Sequence, residues 1–202
     1  YHTFTTELIQ FFHKEGDKVY VLHEDNSHTG KPRGVFEQYH FSYLSDSITE
    51  ILDSVRPDAV IYTGAYDTGF SWSNVRNESM HFISGLINLL IASDLHHVKQ
   101  FIYLSSHEVY QANSDTPILE TNPTTPRDYK GIAIAQGEEL CRQFQETTNL
   151  EVSILRLSHL YQIPENGNEV HDLCSSMCLE ALRTGTIRSD AKKIISMIYS
   201  SD

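Results

Sequence analysis

Short runs of apolar, β-prone residues alternate along this chain with longer stretches of helical period. That alternation constrains the fold more than any other feature. Strands are expected at Lys18–Leu22, Ala59–Thr63, Gln100–Leu104, Val152–Leu155 and Lys193–Ile198. Helices are expected at Thr5–Lys14, Ser47–Val55, Ser79–Asp94, Asp128–Thr147 and Val170–Thr184. In the first helix, Leu8, Ile9, Phe11 and Phe12 are grouped as the inward face, with Gly16 as the stop. Runs such as Val60-Ile61-Tyr62 and Phe101-Ile102-Tyr103-Leu104 are apolar throughout, as strands covered on both faces require. Strands separated by helices of this length are joined by βαβ crossovers. The pattern therefore predicts an α/β fold, a doubly wound parallel sheet in a three-layer sandwich, with residues 1–202 as one domain. Asp25–Gly34 reads as a polar loop, the periodicity assigns no element to 35–46, and 111–127 is the longest loop.

Composition narrows the class. A net charge of −12 argues against nucleic acid or an anionic membrane surface as partner, since both reward a basic face. No apolar run approaches the roughly 18–20 residues of a membrane span, and no leader is evident, so a cytoplasmic protein is expected. Three cysteines, Cys141, Cys174 and Cys178, make a poor disulfide framework. Cys174 and Cys178 are four apart in a helical pattern, but nothing matches a metal-ligand spacing, and no metal is expected. The chain opens on Tyr1 rather than Met and is read as a domain cut from a longer polypeptide.

The densest chemistry lies at 101–110, where an apolar strand runs into Ser105, Ser106, His107 and Glu108. About twenty residues later, Pro126-Arg127-Asp128-Tyr129-Lys130-Gly131 opens a helix. With these segments, several others fall in a familiar order: Gly85-Leu86-Ile87-Asn88-Leu89-Leu90, Ser105 to Tyr110, Glu120-Thr121-Asn122-Pro123, Glu138-Glu139-Leu140, and Leu155-Arg156 followed by Tyr161 and Pro164. In this order the chain resembles the extended short-chain dehydrogenase/reductase family, the NAD-dependent epimerases and dehydratases of nucleotide sugars. The resemblance implies a Rossmann-like fold, here lacking most of the C-terminal substrate lobe.

The resemblance also assigns roles. Ser106 takes the place of the catalytic Ser/Thr, Glu108 that of a carboxylate base, and His107 that of its acidic partner. The family's Tyr moves the hydroxyl proton, and a Lys four residues on lowers that Tyr's pKa and holds the nicotinamide ribose. Anchored on Glu138, the alignment puts Lys130 in the Tyr place and Ile134 in the Lys place; shifted by one, it puts Tyr129 and Ala133 there. In either register the Lys is missing. The glycine-rich phosphate turn has no glycine at His2 or Thr5, and the ribose-binding acid is His23, with Glu24 and Asp25 beside it. The acid near the adenine aligns with Tyr43, and an asparagine three residues before Gly85 is Phe82.

Each residue also has a plain structural role open to it. Ser105 and Ser106 can bond loop backbone, Glu108 can be a solvated or capping carboxylate, and Lys130 can be a surface lysine in a first helical turn. Gly64, Ala65 and Gly69, with Trp72 nearby, follow the Ala59–Thr63 strand and can line a ligand crevice. His96, His97, His159 and His171 read as ordinary surface or core histidines.

The expectation is a catalytically degenerate, epimerase/dehydratase-like module that senses a ligand or binds a protein, with catalytic-place residues Ser106, Glu108, Tyr129 and Lys130, cofactor-place residues His23, Gly64 and Ala65, and no cofactor. The alternative is an active nucleotide-sugar epimerase or dehydratase using Ser106, Glu108 and Tyr129 with NAD or NADP. The expected partners are a small molecule or nucleotide sugar and a second copy of the chain, paired through helices 79–94 and 128–147, as the family commonly pairs. A purely structural dimerisation domain is the third reading.

Overall fold

The structure is a computed structural model that describes residues 3–24, 30–41, 47–64, 74–110, 117–161, 173–187 and 197–199. The first helix, α1, spans Thr3–Glu15. Ile9 is buried, but Phe11 turns out to solvent and meets Phe12 edge-on, which corrects the expected inward face. Two positions on a helix differ by about 200°, so Phe11 cannot share the side that Ile9 presents. The helix closes in a Schellman turn: Gly16 sits at φ +97, its N–H donates to the His13 carbonyl, and the Asp17 N–H donates to that of Phe12.

Strand β1 (Val19–Glu24) follows and pairs in parallel with β2 (Val35–Phe41). The periodicity had assigned no element to β2. Its burial hardly alternates, and the register slips between Val19 and Tyr20, leaving Phe36 as an extra residue. Phe36 lies exposed against the Tyr20 ring and beneath the Lys18 ammonium. Helix α2 (Ser47–Val55) buries Ile48 and Leu52.

A second parallel sheet holds β3 (Ala59–Tyr62), β4 (Gln100–Ser106) and β5 (Glu151–Leu157) in the order β3-β4-β5. The central strand, β4, is buried along most of its length, as the unbroken apolar run requires. Helix α3 (Val75–Leu95) contributes Phe82, Leu86 and Leu90 to the core, and α4 (Tyr129–Thr147) contributes Ala133, Ile134 and Cys141. The two helices pack together, and α4 also lies on β4 and β5. Leu22 and Phe41 from the first sheet and Val60 and Tyr62 from β3 pack against the same cluster. Short β6 (His159–Tyr161) pairs in parallel with β7 (Met197–Tyr199), and α5 (Leu173–Thr184) lies against β6. The pattern did not mark β6, because three residues are too few to show a period. Of the expected last strand, residues 193–196 lie outside the described residues, as do Asp25, Tyr43, Ala65, Gly69, Trp72 and His171.

The end of α3 uses a residue ill suited to it. His97 sits at φ 55, with its N–H bonded to the Asp94 carbonyl and that of Val98 to Ser93. Left-handed backbone costs an L-residue about 1–2 kcal/mol and glycine almost nothing. His97→Gly is therefore expected to stabilise the chain by about 1 kcal/mol, seen as a higher denaturation midpoint at unchanged m-value. A lower midpoint would mean that contacts of the imidazole outweigh the backbone strain.

Candidate functional site

The carboxyl end of β4 carries the serine pair. A single turn of 3-10 helix, His107–Val109, follows directly, and Ser106 caps it by accepting the Glu108 N–H at 3.2 Å. The Ser106 hydroxyl also lies 3.3 Å from the Glu108 carboxylate and 3.4 Å from His107 Nδ1. The His107 ring in turn lies 4.1 Å, centroid to centroid, from the His159 ring on β6. A histidine read as ordinary thus belongs to the rim of this site. Its sequence signal, one His after a strand, is too common to single it out.

Helix α4 enters from the other side. Asp128 caps it, its carboxylate accepting the Gly131 N–H at 2.7 Å. Gly131 is close-packed: a Cβ there would stand 2.4 Å from the Glu108 carbonyl oxygen. That approach brings the first turn of α4 onto the 3-10 turn and sets the Lys130 ammonium 3.1 Å from Glu108 Oε2. The pair is about one-third exposed at Lys130 and 28% exposed at Glu108. Tyr129 looks elsewhere, and its hydroxyl accepts a hydrogen bond from Ser79 on α3 at 3.1 Å. One turn on, Ile134 is fully buried in the core, with its carbonyl accepting from the Tyr103 hydroxyl at 3.0 Å.

Ser106, Glu108, Lys130 and His107 are therefore brought together, while Tyr129 is directed to α3. The cofactor-place residues are placed separately. His23, near the end of β1, is hydrogen-bonded to Gln38 and lies 4.1 Å, ring to ring, from His40 on β2. Gly64 follows β3, where a Cβ would meet the Tyr62 ring at 2.6 Å. The Tyr62 hydroxyl donates to the carbonyl of Phe82, 2.8 Å away on α3. Ile134, which one register of the family resemblance aligns with the ribose-holding Lys, is sealed in the core, and His23 is engaged with β2.

Beneath the site lies a charge network that the motif reading quoted without giving it a role. Glu138, on the buried side of α4, has a side chain only 1% exposed. All of its acceptor positions are used: Oε1 accepts from Ser105 at 2.5 Å and Arg156 Nε at 2.8 Å, and Oε2 from Arg142 at 2.6 Å and Arg156 Nη2 at 2.7 Å. Arg156, on β5, also donates to the Glu120 carbonyl and the Tyr110 hydroxyl, and stacks on the Tyr110 ring. Burial alone would raise the Glu138 carboxyl, but hydrogen bonds from Arg156 and Ser105 and the charges of Arg156 and Arg142 outweigh it and hold it below its ordinary value. The same bond raises Arg156. Cys141, one turn on, is pushed up to about 12, chiefly by burial. A lone carboxylate among Ala133, Ile134, Gly137 and Cys141 was the signal for this network; its partner arginine lay in a different element.

Comparison with known proteins puts this arrangement in context. The NAD dependent epimerase/dehydratase family model matches residues 6–196. A UDP-glucose 4-epimerase of Oryza sativa subsp. japonica is 29% identical over 113 residues, 55% of this chain and 30% of that protein. Among solved structures, UDP-glucose 4-epimerase from Thermotoga maritima, with UDP-glucose, matches at TM-score 0.83 and 22% identity, covering 98% of this chain and 66% of that one. WbmG of Bordetella bronchiseptica, in complex with NAD and UDP, matches at TM-score 0.76 and 20% identity, covering 97% and 61%. The mixed α/β architecture with parallel sheets is thus that of Rossmann-like epimerases. The aligned part spans about two-thirds or less of these solved chains and under a third of the curated relatives.

Proposed function

Because the chain belongs to the NAD dependent epimerase/dehydratase family, we propose that it keeps the family's scaffold without its hydride chemistry, as a ligand-sensing or protein-interaction module of a longer polypeptide. One observation carries the reading: the first turns of α4 present Lys130 to Glu108 and bury Ile134 in the core. In either register of the family alignment no lysine follows four residues after the Tyr place, so the residue that activates the family's Tyr is not supplied there. Lys130 is committed to an ion pair with the Glu108 carboxylate at 3.1 Å. The cluster of Ser106, Glu108, Lys130 and His107 suits recognition of a hydroxyl-bearing small molecule, a nucleotide sugar being the class its relatives suggest. The exposed Met80, Ile91 and Leu95 of α3 support the interaction half of the reading.

A second reading has one observation in its favour: the Ser106–Glu108 hydrogen bond is formed. On that reading Ser106, Glu108 and Tyr129 serve an active epimerase or dehydratase with NAD or NADP. Thermal unfolding of the full-length polypeptide separates the two. With NAD or NADP at about 1 mM, no shift in Tm is expected, whereas a Kd of about 100 μM or tighter would raise it by a few degrees. A shift with NAD, accompanied by epimerisation of UDP-glucose that Ser106→Ala abolishes, would establish the second reading.

A further inference from the structure

A groove of about 600 Å³ lies at the amino ends of β1 and β2, whereas Ser106 and His23 lie at or near the carboxyl ends of their strands. One wall is a single face of α1, Thr6, Gln10, His13 and Lys14, spaced i, i+4, i+7 and i+8. The other is the segment 30–34 that leads into β2, carrying Arg33. Among the described residues that line it there is no carboxylate. The chain as a whole carries a net charge of −12. Elsewhere Lys99 pairs with Asp58, and Arg142 with Glu138 and Glu139. Lys14 and Arg33, which face the groove, have no ion pair among the described residues.

The glycines set the groove's shape. Gly34, at φ +96, lets the segment approach α1 so closely that a Cβ would stand 3.2 Å from His13 Cβ. At Gly30 a Cβ would meet nothing within 4 Å, so the groove stays open there. Two unneutralised cations facing the same groove in an acidic protein focus positive potential into it. A guanidinium offers a planar fork of donors that matches phosphate oxygens, and an ammonium adds a point charge. Thr6 and Gln10 supply neutral donors, and the volume lies in the range of small-ligand sites.

We propose that this groove is a binding site for a small phosphate-bearing metabolite, held by Arg33 and Lys14 and oriented by Thr6 and Gln10. It is independent of the Ser106 site and stands whether or not that site performs catalysis.

The test is calorimetric titration of inorganic pyrophosphate into the full-length protein at low ionic strength. Saturable one-to-one binding is expected, weakening as salt is added. Arg33→Ala, an exposed change with no folding role, should lower the affinity about tenfold or more. Gly30→Trp should fill the groove and abolish binding, with far-UV dichroism and Tm unchanged because the position is open. Lys130→Met should bind as the parent does. Absence of saturable binding overturns the proposal. So does binding that Arg33→Ala and Gly30→Trp leave intact, and so does binding lost in Lys130→Met, which would place the anion at the Ser106 site.

Discussion

Glu138→Ala is expected to destabilise the chain by about 3–5 kcal/mol, a large part of what a domain of this size has to spare. The change removes one carboxylate but strands the groups around it. Arg156, only 18% exposed, loses a bidentate partner, and the fully buried Ser105 loses the acceptor of its hydroxyl. Replacing both charges with apolar groups of similar size is a different experiment. Glu138→Leu combined with Arg156→Met should recover much of the loss, because no buried charge is left unpaired. Denaturant unfolding of the single and double variants checks this. A single variant as stable as the parent would show that water reaches Arg156 freely.

The same carboxylate has a pH signature. Its folded pKa lies below the ordinary value of 4.5, so its contribution to stability is complete above about pH 4.5 and is lost as pH falls through the folded value. Glu138→Gln should lack that part of the acid limb. Arg156 stays protonated throughout this range and adds no slope of its own.

Gly131→Ala should cost about 1–3 kcal/mol or more and disturb the Ser106 site as well. The added Cβ would stand 2.4 Å from a backbone oxygen, that of Glu108, and 3.0 Å from Pro126 Cβ. A flexible side chain could swing away from such a contact, but the backbone at Glu108 is held by the Ser106 cap and cannot. Helix α4 must therefore lift from the 3-10 turn, which lengthens the Lys130–Glu108 pair. Ordinary helix propensity predicts the opposite sign, since alanine is preferred to glycine within a helix by about 1 kcal/mol. A more stable Gly131→Ala variant would mean that α4 and the 3-10 turn are not in close contact.

The alternation of apolar runs and helical periods was enough to place α1, α2, α3, α4 and the strands β3, β4 and β5, because buried parallel strands and their covering helices write their burial directly into residue type. β2 escaped because an exposed, bulged strand carries little of that signal. Its Val-Phe-Glu-Gln-Tyr-His-Phe composition, bounded by Gly34, was the clue available. At the site, the strand-end serines and the absence of a lysine four residues after either Tyr129 or Lys130 were legible in one dimension. Which of those two residues faces Glu108 was not, since neighbours on a helix differ by about 100° in direction and only the docking of α4 selects between them.

The amino-acid order by itself determined the fold class, because local burial periodicity depends on near neighbours alone. It also determined that no lysine lies four residues after either Tyr129 or Lys130. Only the tertiary structure decided that Lys130 meets Glu108 while Tyr129 meets Ser79, and that Glu138 joins Ser105, Arg142 and Arg156. It likewise brought His107 to His159 and set Lys14 and Arg33 across one groove. Each of these outcomes joins side chains from different elements or sequence-distant positions. Such encounters depend on how helices seat on strands, through close approaches such as Gly131 on Glu108, and no local pattern records them.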